Sequence, residues 1–443
     1  MYPKIRKCFS LSFLLLLCSS AFMPYGANAI LPEGADVPVI NALATEPCYD
    51  FAIDGIYYSI VSGTTQVEVT YATEAYDSYS GDVVIPVSVS HLNTTYTVTG
   101  LTHYAFAYSA NLKSVTLPQG ITSIGASAFY ECDGLKKLDF PESLTSFADW
   151  ACFNSTGLEQ IAIEATALTG VGSDVFAYCT SLRTFYCNLS TPGSLFSSDV
   201  FLDDPLSSAT LYVPIGCAQA YTAAGGVWSD FGTLSEFYNL KINKQATDGQ
   251  GHYYATLFQN VPLDIPSGVT ATYPASASSD ALNYVSYSAT IPAGAASLVT
   301  ATAPGRYFFI KNSANTAVAP AGNLLCGAST STTVSSASHY YYTLSRAVNS
   351  YGDPVAGTIG FYWYANDGHS VTCPAGRAYI VLPVSGGEAV RAYRLGEGGA
   401  ASILSPFAAM SQKRDLYTLD GRVAREPLHR GVYIKDGKRV WIR

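Results

Sequence analysis

The sequence predicts a mainly β protein, in which a short solenoid of five repeats precedes a separate all-β domain with a sandwich fold. Apolar strand residues recur after 23, 23, 24 and 26 residues, at Val115, Leu138, Ile161, Phe185 and Leu211. A period of this length is typical of stacked units that bury their apolar faces only against their neighbours. From Tyr238 onward the period disappears, and alternating apolar runs are separated by Pro–Gly turns instead.

Residues 1–29 have the features of a secretory signal peptide. Three basic residues precede an apolar run, and Ala27 and Ala29 supply the small side chains of a cleavage site. Cys18 leaves a lipoprotein as the alternative, but Leu17 stands where a lipobox normally has Gly, Ala or Ser. We therefore expect cleavage after Ala29 and a secreted or surface-exposed protein. No later stretch approaches the roughly 20 apolar residues of a transmembrane helix.

Composition excludes one large class of partners. Removal of the leader takes the formal net charge from −9 to −12, and no basic cluster remains. The electrostatic requirement of nucleic-acid binding is therefore not met. Charged residues make up only 13% of the chain, whereas Tyr alone contributes 33 residues, which is typical of a β-rich exported surface. The remaining chain of about 414 residues is too long for one core.

We divide the chain at the points where these patterns change. A leader and a β-rich cap cover 30–97, and Asp54–Gly55 in this cap is a strong hairpin-turn signal. The solenoid with a helical and aromatic C-terminal cap covers 98–238, the all-β domain covers 239–411, and two predicted hairpins cover 412–443. Caps are expected because the terminal repeats otherwise expose an apolar face and open strand edges.

Each repeat should bury one aromatic ring. The Phe residues at equivalent positions, predicted to stack as a spine, are Phe106, Phe129, Phe176 and Phe201. Cys152 replaces Phe in the third repeat, and we expect Trp150 to fill the space that results. On the other side of the repeat, Ile121 and Ile124 should close the core.

Eight cysteines remain after cleavage, and none lies in a zinc-binding pattern. Cys132 and Cys179 should pack inside repeat turns and cannot pair, because a whole repeat separates them. Cys326 and Cys373 are either a disulfide of the second domain or two thiols. We expect no cofactor and no metal site.

Catalytic motifs are also missing from the sequence. It contains no Gly-x-Ser-x-Gly, His-Glu-x-x-His, phosphate-loop or calcium-loop pattern, and its six His are scattered. Asp77, Asp203 and Asp204 are interpreted as solvated turn carboxylates. We therefore expect no enzymatic activity. A glycan-processing enzyme in 239–411 remains a third hypothesis, which requires a cleft with paired carboxylates.

The candidate binding site is the outward face of the repeat strands, where alternate residues point to solvent. The residues predicted to form it are Ser114, Thr116, Lys137, Asp139, Gln160, Ala162, Thr184, Tyr186, Thr210 and Tyr212. The face changes from charged to aromatic along the array, and Tyr is favoured at interfaces. The alternative is a face that is only solvated, or covered by the second domain.

Residues 121–141, with the pattern Ile-Thr-Ser-Ile-Gly-x-x-Ala-Phe-x-x-Cys-x-x-Leu-x-x-Leu-x-x-Pro, resemble the BspA-like leucine-rich repeats of bacterial surface proteins. The resemblance covers about 48–237 and implies a leucine-rich repeat solenoid on a protein of the Bacteroides group. Members are thought to bind host matrix proteins, epithelial surfaces or other bacteria, without a fixed binding motif. The C-terminal hairpins resemble a short sorting segment of such bacteria, although a hairpin that only docks on the sandwich explains them equally well.

Two functions therefore remain open, in addition to the enzyme hypothesis. The first is non-catalytic binding of a protein or glycan on a host or bacterial surface, by a monomer that uses the strand face. The second is a structural role in the cell envelope, in which the repeats are only a scaffold.

Overall fold

The computed structural model describes residues 48–245, 251–278, 281–348, 354–363, 368–384, 390, 392–395, 401–402, 431–435 and 438–442. The chain divides into two compact units, 1–236 and 237–443. The predicted signal peptide and the first C-terminal hairpin lie outside the described residues. Among the residues that are described, no helix has the length and apolar character needed to cross a bilayer.

The first unit is built almost entirely from short strands. They are β1 (Phe51–Ile53), β2 (Ile56–Ile60), β3 (Gln66–Thr70), β4 (Gly81–Val84), β5 (Ser88–His91), β6 (Thr94–Leu101), β7 (Leu112–Thr116), β8 (Ser123–Ile124), β9 (Lys137–Phe140), β10 (Ser146–Phe147), β11 (Gln160–Ile163), β12 (Gly170–Val171), β13 (Thr184–Cys187) and β14 (Thr210–Pro214). The next strand, β15 (Thr233–Ile242), begins in this unit and ends in the second.

Two sheets enclose the core of the solenoid. Sheet A has the order β1-β2-β3-β6-β8-β10-β12, and sheet B contains the parallel strands β9, β11, β13 and β14. The period of the sequence sets the register: Ser146 pairs with Ser123 and with Gly170, one repeat away on each side. Because the repeats of β8–β9, β10–β11 and β12–β13 each supply one strand to each sheet, the apolar residues of one repeat meet those of the next between the two sheets. The predicted solenoid is confirmed.

The N-terminal cap continues sheet A. Strands β1 and β2 form the predicted hairpin, in which Ile53 pairs with Ile56. Asp54 and Gly55 have φ of 50° and 78°, as a type I′ turn requires. The parallel pairing of β3 with β6 then connects the cap to the first repeat.

An aromatic spine fills the core, as predicted, but the space at its third position is not filled by the residue that the sequence predicted. Phe106 stacks on Phe129 with 5.1 Å between the ring centroids. Cys152 is fully buried, and Trp150, which was expected to replace the missing ring, is 47% exposed. The rings of Phe140 and Phe147 fill the space instead, packed edge to face at 4.7 Å. Phe140 belongs to β9 and Phe147 to β10, so both sheets contribute to the repair.

Successive repeat turns approach each other too closely for a side chain at some positions. A Cβ atom added to Gly157 would lie 1.9 Å from the carbonyl oxygen of Asp133. The same atom added to Gly134 would lie 2.4 Å from the carbonyl oxygen of Ala110. Glycine is therefore required here by the distance between the turns, since real Cβ contacts are not this short.

A hydrogen-bonded position recurs in the same turns, and we call it the polar turn position. The Ser155 hydroxyl donates to the carbonyl of Phe129 at 2.5 Å and accepts from the amide of Cys132 at 3.1 Å. The Cys132 thiol donates to the carbonyl of Phe106, one repeat earlier, at 3.1 Å. A side chain at this position therefore satisfies an acceptor of the preceding repeat.

A short helix and an aromatic cluster close the array at its C-terminal end. The helix α1 (Ala218–Ala224) follows β14, and 3₁₀ turns cover Leu206–Ser208 and Gly226–Ser229. Tyr221 on α1 donates its hydroxyl to the carbonyl of Leu189 at 2.9 Å and packs on Trp228 at 5.1 Å. The Glu236 carboxylate accepts from the amides of Gly216 and Ala218, which fixes the start of the helix. The predicted C-terminal cap is confirmed.

The second unit is all β in its described part. Its strands are β16 (Lys244–Gln245), β17 (Tyr253–Leu257), β18 (Leu263–Asp264), β19 (Val269–Ala277), β20 (Ala281–Ser286), β21 (Thr290–Ile291), β22 (Ser297–Ala301), β23 (Gly305–Ile310), β24 (Leu325–Ala328), β25 (Thr332–Ser335), β26 (His339–Val348), β27 (Pro354–Trp363), β28 (Ser370–Cys373), β29 (Arg377–Pro383), β30 (Ala392–Leu395), β31 (Ala401–Ser402), β32 (Gly431–Lys435) and β33 (Lys438–Ile442).

Eleven of these strands form one sheet, sheet C, with the order β16-β17-β22-β19-β20-β31-β30-β27-β26-β29-β24. Its two halves share one core, since Leu298 of β22 and Leu282 of β20 belong to the same buried cluster as Tyr342 of β26 and Phe361 of β27. The hydroxyl of Thr256 on β17 also accepts from the amide of Ala378 on β29 at 3.2 Å. The sheet thus packs on itself, as two layers of a sandwich do.

The turns and cysteines of the second unit can be compared with their predictions. Gly268, Gly294 and Gly376 end the predicted Pro-x-Gly turns, with φ between 69° and 77°. Cys326 is exposed on β24, Cys373 is buried on β28, and both are free thiols. The structure therefore shows Cys326 and Cys373 as two thiols and not as a disulfide. At the C-terminus, β32 and β33 pair antiparallel, as the second predicted hairpin requires.

Candidate functional site

Sheet B sets the predicted strand-face residues in two straight rows. Parallel pairing places Lys137 beside Gln160, Gln160 beside Thr184, and Thr184 beside Thr210. The second row is formed in the same way by Asp139, Ala162, Tyr186 and Tyr212. Neighbouring members of a row are about 4.8 Å apart, which is the spacing of hydrogen-bonded strands. We refer to these two rows as the strand face.

Ser114 and Thr116 are not part of these rows. Their strand, β7, pairs with β4 of the cap and is not assigned to sheet B. The Ser114 hydroxyl donates to Asp82 of β4 at 2.6 Å, so its hydrogen bond points toward the cap. The rows therefore extend over four strands, whereas the sequence led us to expect five. The repeat interval alone cannot show this, because it is the same across the break.

The aromatic end of the strand face is a stacked pair. The rings of Tyr186 and Tyr212 lie 4.5 Å apart with an interplanar angle of 14°. Burial raises the pKa of Tyr186 to about 12, and the neighbouring Tyr212 and Asp139 add to the shift. Tyr186 is therefore a neutral phenol at any physiological pH. The pair offers one broad apolar surface with two hydroxyl groups at its edge.

The other end of the strand face is charged. Lys137 and Asp139 form an ion pair of 2.8 Å between side chains that are both substantially exposed. One carboxylate oxygen of Asp139, Oδ1, is shielded from solvent and has no hydrogen-bond partner in the structure. Ala162 separates this carboxylate from Tyr186 in the row, and its side chain is fully buried. The face can therefore combine ring stacking, hydrogen bonding and ion pairing with one extended ligand.

The remaining residues with reactive side chains were compared with the requirements of a metal site and of the glycan-processing hypothesis within the described part of the chain. In the described ranges, no three His, Cys, Asp or Glu side chains are arranged to hold a metal ion. A cavity of about 560 Å³ in the second unit is lined by Ser335, Ser336, Ala337, His369 and Ser370, and so by no carboxylate. One interpretation from the sequence was wrong: Asp204 is not a solvated turn carboxylate, because both of its carboxylate oxygens are shielded from solvent, and this burial raises its pKa to about 8. Asp204 lies at the polar turn position of its own turn, which corresponds to Ser155 and Cys132 in the earlier repeats.

The structure also shows an aromatic row that the sequence analysis missed. Tyr108, Tyr130, Phe153 and Tyr178 lie in successive repeat turns, with ring centroids 5.3, 5.5 and 5.1 Å apart. Their spacing in the chain, 22, 23 and 25 residues, follows the repeat and was visible in the sequence. We refer to these four residues as the turn row.

Comparison with known proteins supports the assignment of the repeats. Residues 88–213 match six copies of the BspA type leucine rich repeat region. No protein with a curated description matches the chain. The matched segment includes sheet B and most of sheet A, but none of the second unit.

Solved structures with leucine-rich repeats resemble part of the chain. A leucine-rich repeat protein of Treponema pallidum is 21% identical, with a TM-score of 0.30, over 38% of this chain and 72% of that one. A leucine-rich repeat protein of Bacteroides capillosus is 25% identical, with a TM-score of 0.27, over 31% and 96%. A leucine-rich cell surface protein of Faecalibacterium prausnitzii is 15% identical, with a TM-score of 0.18, over 42% and 72%. Residues 88–213 are thus similar to BspA-type leucine-rich repeats, in a β-rich chain that continues into a further β domain.

Proposed function

We propose that this protein is an exported, non-catalytic binding protein, whose strand face recognises a protein or a glycan on a host or bacterial surface. The observation that carries the proposal is the register of sheet B, which aligns Asp139, Tyr186 and Tyr212 in one row. Solenoids commonly bind extended ligands along such a face. An exported protein of this repeat type encounters other surfaces outside the cell, and this supports an adhesive role.

Each part of the strand face suits a different element of an extended ligand. The stacked phenols of Tyr186 and Tyr212 can cover the apolar side of a sugar ring or an aromatic side chain. Lys137, Gln160 and Thr184 supply donors and acceptors along the neighbouring row. Binding would lose little conformational entropy, because rows on paired strands are already held in place.

The proposal is tested by a double substitution, Tyr186→Ala with Tyr212→Ala, in the purified full chain. An array of glycans and matrix proteins first identifies a saturable ligand of the unmodified protein. The double variant should then bind that ligand at least about tenfold more weakly, since it loses the stacked pair. Circular dichroism should show an unchanged fold, because both residues point away from the core.

A matched control is Tyr273→Ala with Tyr287→Ala, two Tyr residues of the second unit whose rings are in contact at 5.1 Å. This control should leave binding unchanged if the strand face is responsible. If the strand-face variant binds its ligand as well as the unmodified protein does, the assignment of this face is wrong.

A structural role in the cell envelope is the second candidate function. The low share of charged residues and the continuous core of the solenoid are compatible with a scaffold. This function predicts that no saturable ligand is found on the array. It also predicts that deletion of the protein changes the integrity of the envelope and leaves attachment to host cells unchanged.

A further inference from the structure

The repeat turns form a face with a charge of one sign. They are the segments 102–110, 125–134, 148–157, 172–181 and 196–204, which precede the strands β7, β9, β11, β13 and β14. We refer to these five segments as the turn face. Apart from Asp204, whose carboxylate oxygens are shielded from solvent, its acidic residues are Glu131, Asp133, Asp149, Asp174, Asp199 and Asp203, and none of its residues is Lys or Arg. Within 98–216 the basic residues are Lys113, Lys136, Lys137 and Arg183, all in or next to the strands.

Large apolar side chains are exposed on the same face. Tyr108, Trp150 and Leu202 are between 43% and 47% exposed, whereas most aromatic rings of the repeats are buried. Exposed apolar groups that are surrounded by charges mark interaction sites more often than bare surface. The turn row, Tyr108 to Tyr178, runs through the middle of these groups and spans four consecutive repeats.

The backbone holds some of these side chains in an unfavourable conformation. Tyr108, Trp150 and Tyr178 have φ of 58°, 59° and 62°. Bulky residues rarely adopt this left-handed region, in which glycine is comfortable. Glycine would adopt this backbone conformation with less strain than Tyr or Trp does. Bulky residues at such strained positions are typical of functional sites, which supports a role for these rings in binding.

The carboxylates beside the rings are fixed by hydrogen bonds between repeats. Glu131 accepts from the amide group of Asn154 at 3.3 Å, and Asp174 accepts from the indole of Trp150 at 3.2 Å. Asp149 accepts from the backbone amide of Ser173 at 2.8 Å. Each of these contacts uses one carboxylate oxygen, so the charge is held in position beside the row.

We propose that the turn face is a second interaction surface, distinct from the strand face, and that it binds an extended arginine-rich polypeptide segment. A guanidinium group can stack on a Tyr ring and pair with a carboxylate at the same time. The turn row supplies a ring about every 5 Å, and each repeat from Tyr130 to Tyr178 adds at least one carboxylate. The complementarity of charge selects a cationic partner over a neutral glycan or a second acidic copy of this chain.

The test measures binding of synthetic octa-arginine, octa-lysine and octa-glutamate peptides to the purified full chain, at low and at physiological salt. Octa-arginine should bind saturably and more tightly than octa-lysine, because a Lys ammonium does not stack in the same way. Octa-glutamate should not bind. Equal affinity for octa-arginine and octa-lysine, or no saturable binding of either, would overturn the proposal.

A charge-matched pair of variants separates the turn face from the net charge of the protein. The turn-face variant is Glu131→Gln, Asp149→Asn, Asp174→Asn, and the control is Glu142→Gln, Glu159→Gln, Asp230→Asn. The first should bind octa-arginine about tenfold more weakly, and the second within about twofold of the unmodified protein. Equal losses in both would show that only net charge matters, and the proposal would fail.

Two further variants test the rings and the independence of the two faces. Tyr108→Ser, at an exposed position, should weaken octa-arginine binding by about three- to fivefold. Tyr186→Ala with Tyr212→Ala should leave octa-arginine binding unchanged. The turn-face proposal and the strand-face proposal can therefore fail independently of each other. If Tyr108→Ser has no effect, or abolishes dimers detected by sedimentation, the surface has a different occupant and the proposal is wrong.

Discussion

Asp204 gives the solenoid a stability that should depend strongly on pH. It occupies the polar turn position, where Ser155 and Cys132 donate a hydrogen to a carbonyl of the preceding repeat. A carboxylate cannot donate, and both oxygens of Asp204 are shielded from solvent at a position that requires a donor. Burial therefore raises the pKa of Asp204 to about 8, partly offset by the amide of Cys179 and slightly increased by Asp203. The protonated side chain fits this position and the ionised one does not.

The sign and size of the effect follow from proton linkage. A carboxyl group with a raised pKa in the folded state stabilises the protein fully below its unfolded pKa, near 4, and the contribution is lost as the pH rises through about 8. In this window the free energy of unfolding should fall by about 1.4 kcal/mol per pH unit, with a total on the order of 5 kcal/mol. Above pH 8 the loss should level off, because Asp204 is then ionised in both states.

The perturbation that isolates this group is Asp204→Asn. An amide can donate to the carbonyl of Phe176, which is the equivalent acceptor, and it carries no charge at any pH. The variant should be more stable than the unmodified protein by about 4–5 kcal/mol at pH 7.5 and of similar stability at pH 4.

Urea unfolding followed by circular dichroism at pH 4, 6, 7.5 and 9 measures the difference. Asp230→Asn, at an exposed position, is the control and should change stability by less than about 0.5 kcal/mol at every pH. A stability difference between Asp204→Asn and the unmodified protein that does not change with pH would refute the reasoning.

Two further predictions concern the packing of the repeats. Gly157→Ala should destabilise the first unit by about 2–3 kcal/mol, because the new Cβ meets a backbone oxygen. Gly170→Ala, whose Cβ would meet the Ser146 Cβ at an ordinary 3.5 Å, should change stability little, and equal losses in thermal unfolding would contradict the argument. Phe140→Ala should cost about 3–5 kcal/mol in urea unfolding, since Phe140 fills the space beside Cys152. Trp150→Ala should cost less than about 1 kcal/mol, and the reverse order would favour Trp150 as the filling residue.

The sequence was sufficient to predict features that every repeat shares. Equal intervals between Leu138, Ile161 and Phe185 determine which strands pair, and therefore predict the stacked rows on the strand face. The Asp54–Gly55 hairpin was also predictable, because its turn requires two positive φ angles that these residues tolerate. In both cases the physical cause lies within a few residues or within one period.

Features in which one repeat differs from the others could not be predicted in the same way. The space beside Cys152 is filled by Phe140 and Phe147 from two different strands, and their contact depends on three-dimensional packing. Asp204 lies three residues after Phe201, as Cys179 lies three residues after Phe176, but a carboxylate at this position suggests exposure to solvent rather than the burial of Cys179. The interpretation of Asp204 as solvated failed for this reason, since carboxylates in turns are usually exposed.

The division between β7 and β9 has a mechanical consequence. Sheet A runs without interruption from β6 to β8 and β10, whereas on the opposite side β7 pairs with β4 and the parallel ladder of sheet B begins at β9. A load along the solenoid axis would therefore be carried across this joint by backbone hydrogen bonds of sheet A and of the turns, such as the bond from the Phe106 amide to the Ala128 carbonyl at 2.7 Å, but by side-chain packing between β7 and β9. Such a joint bends more easily than a fully bonded ladder, and it lets the cap tilt while the rows from Lys137 to Tyr212 keep their spacing.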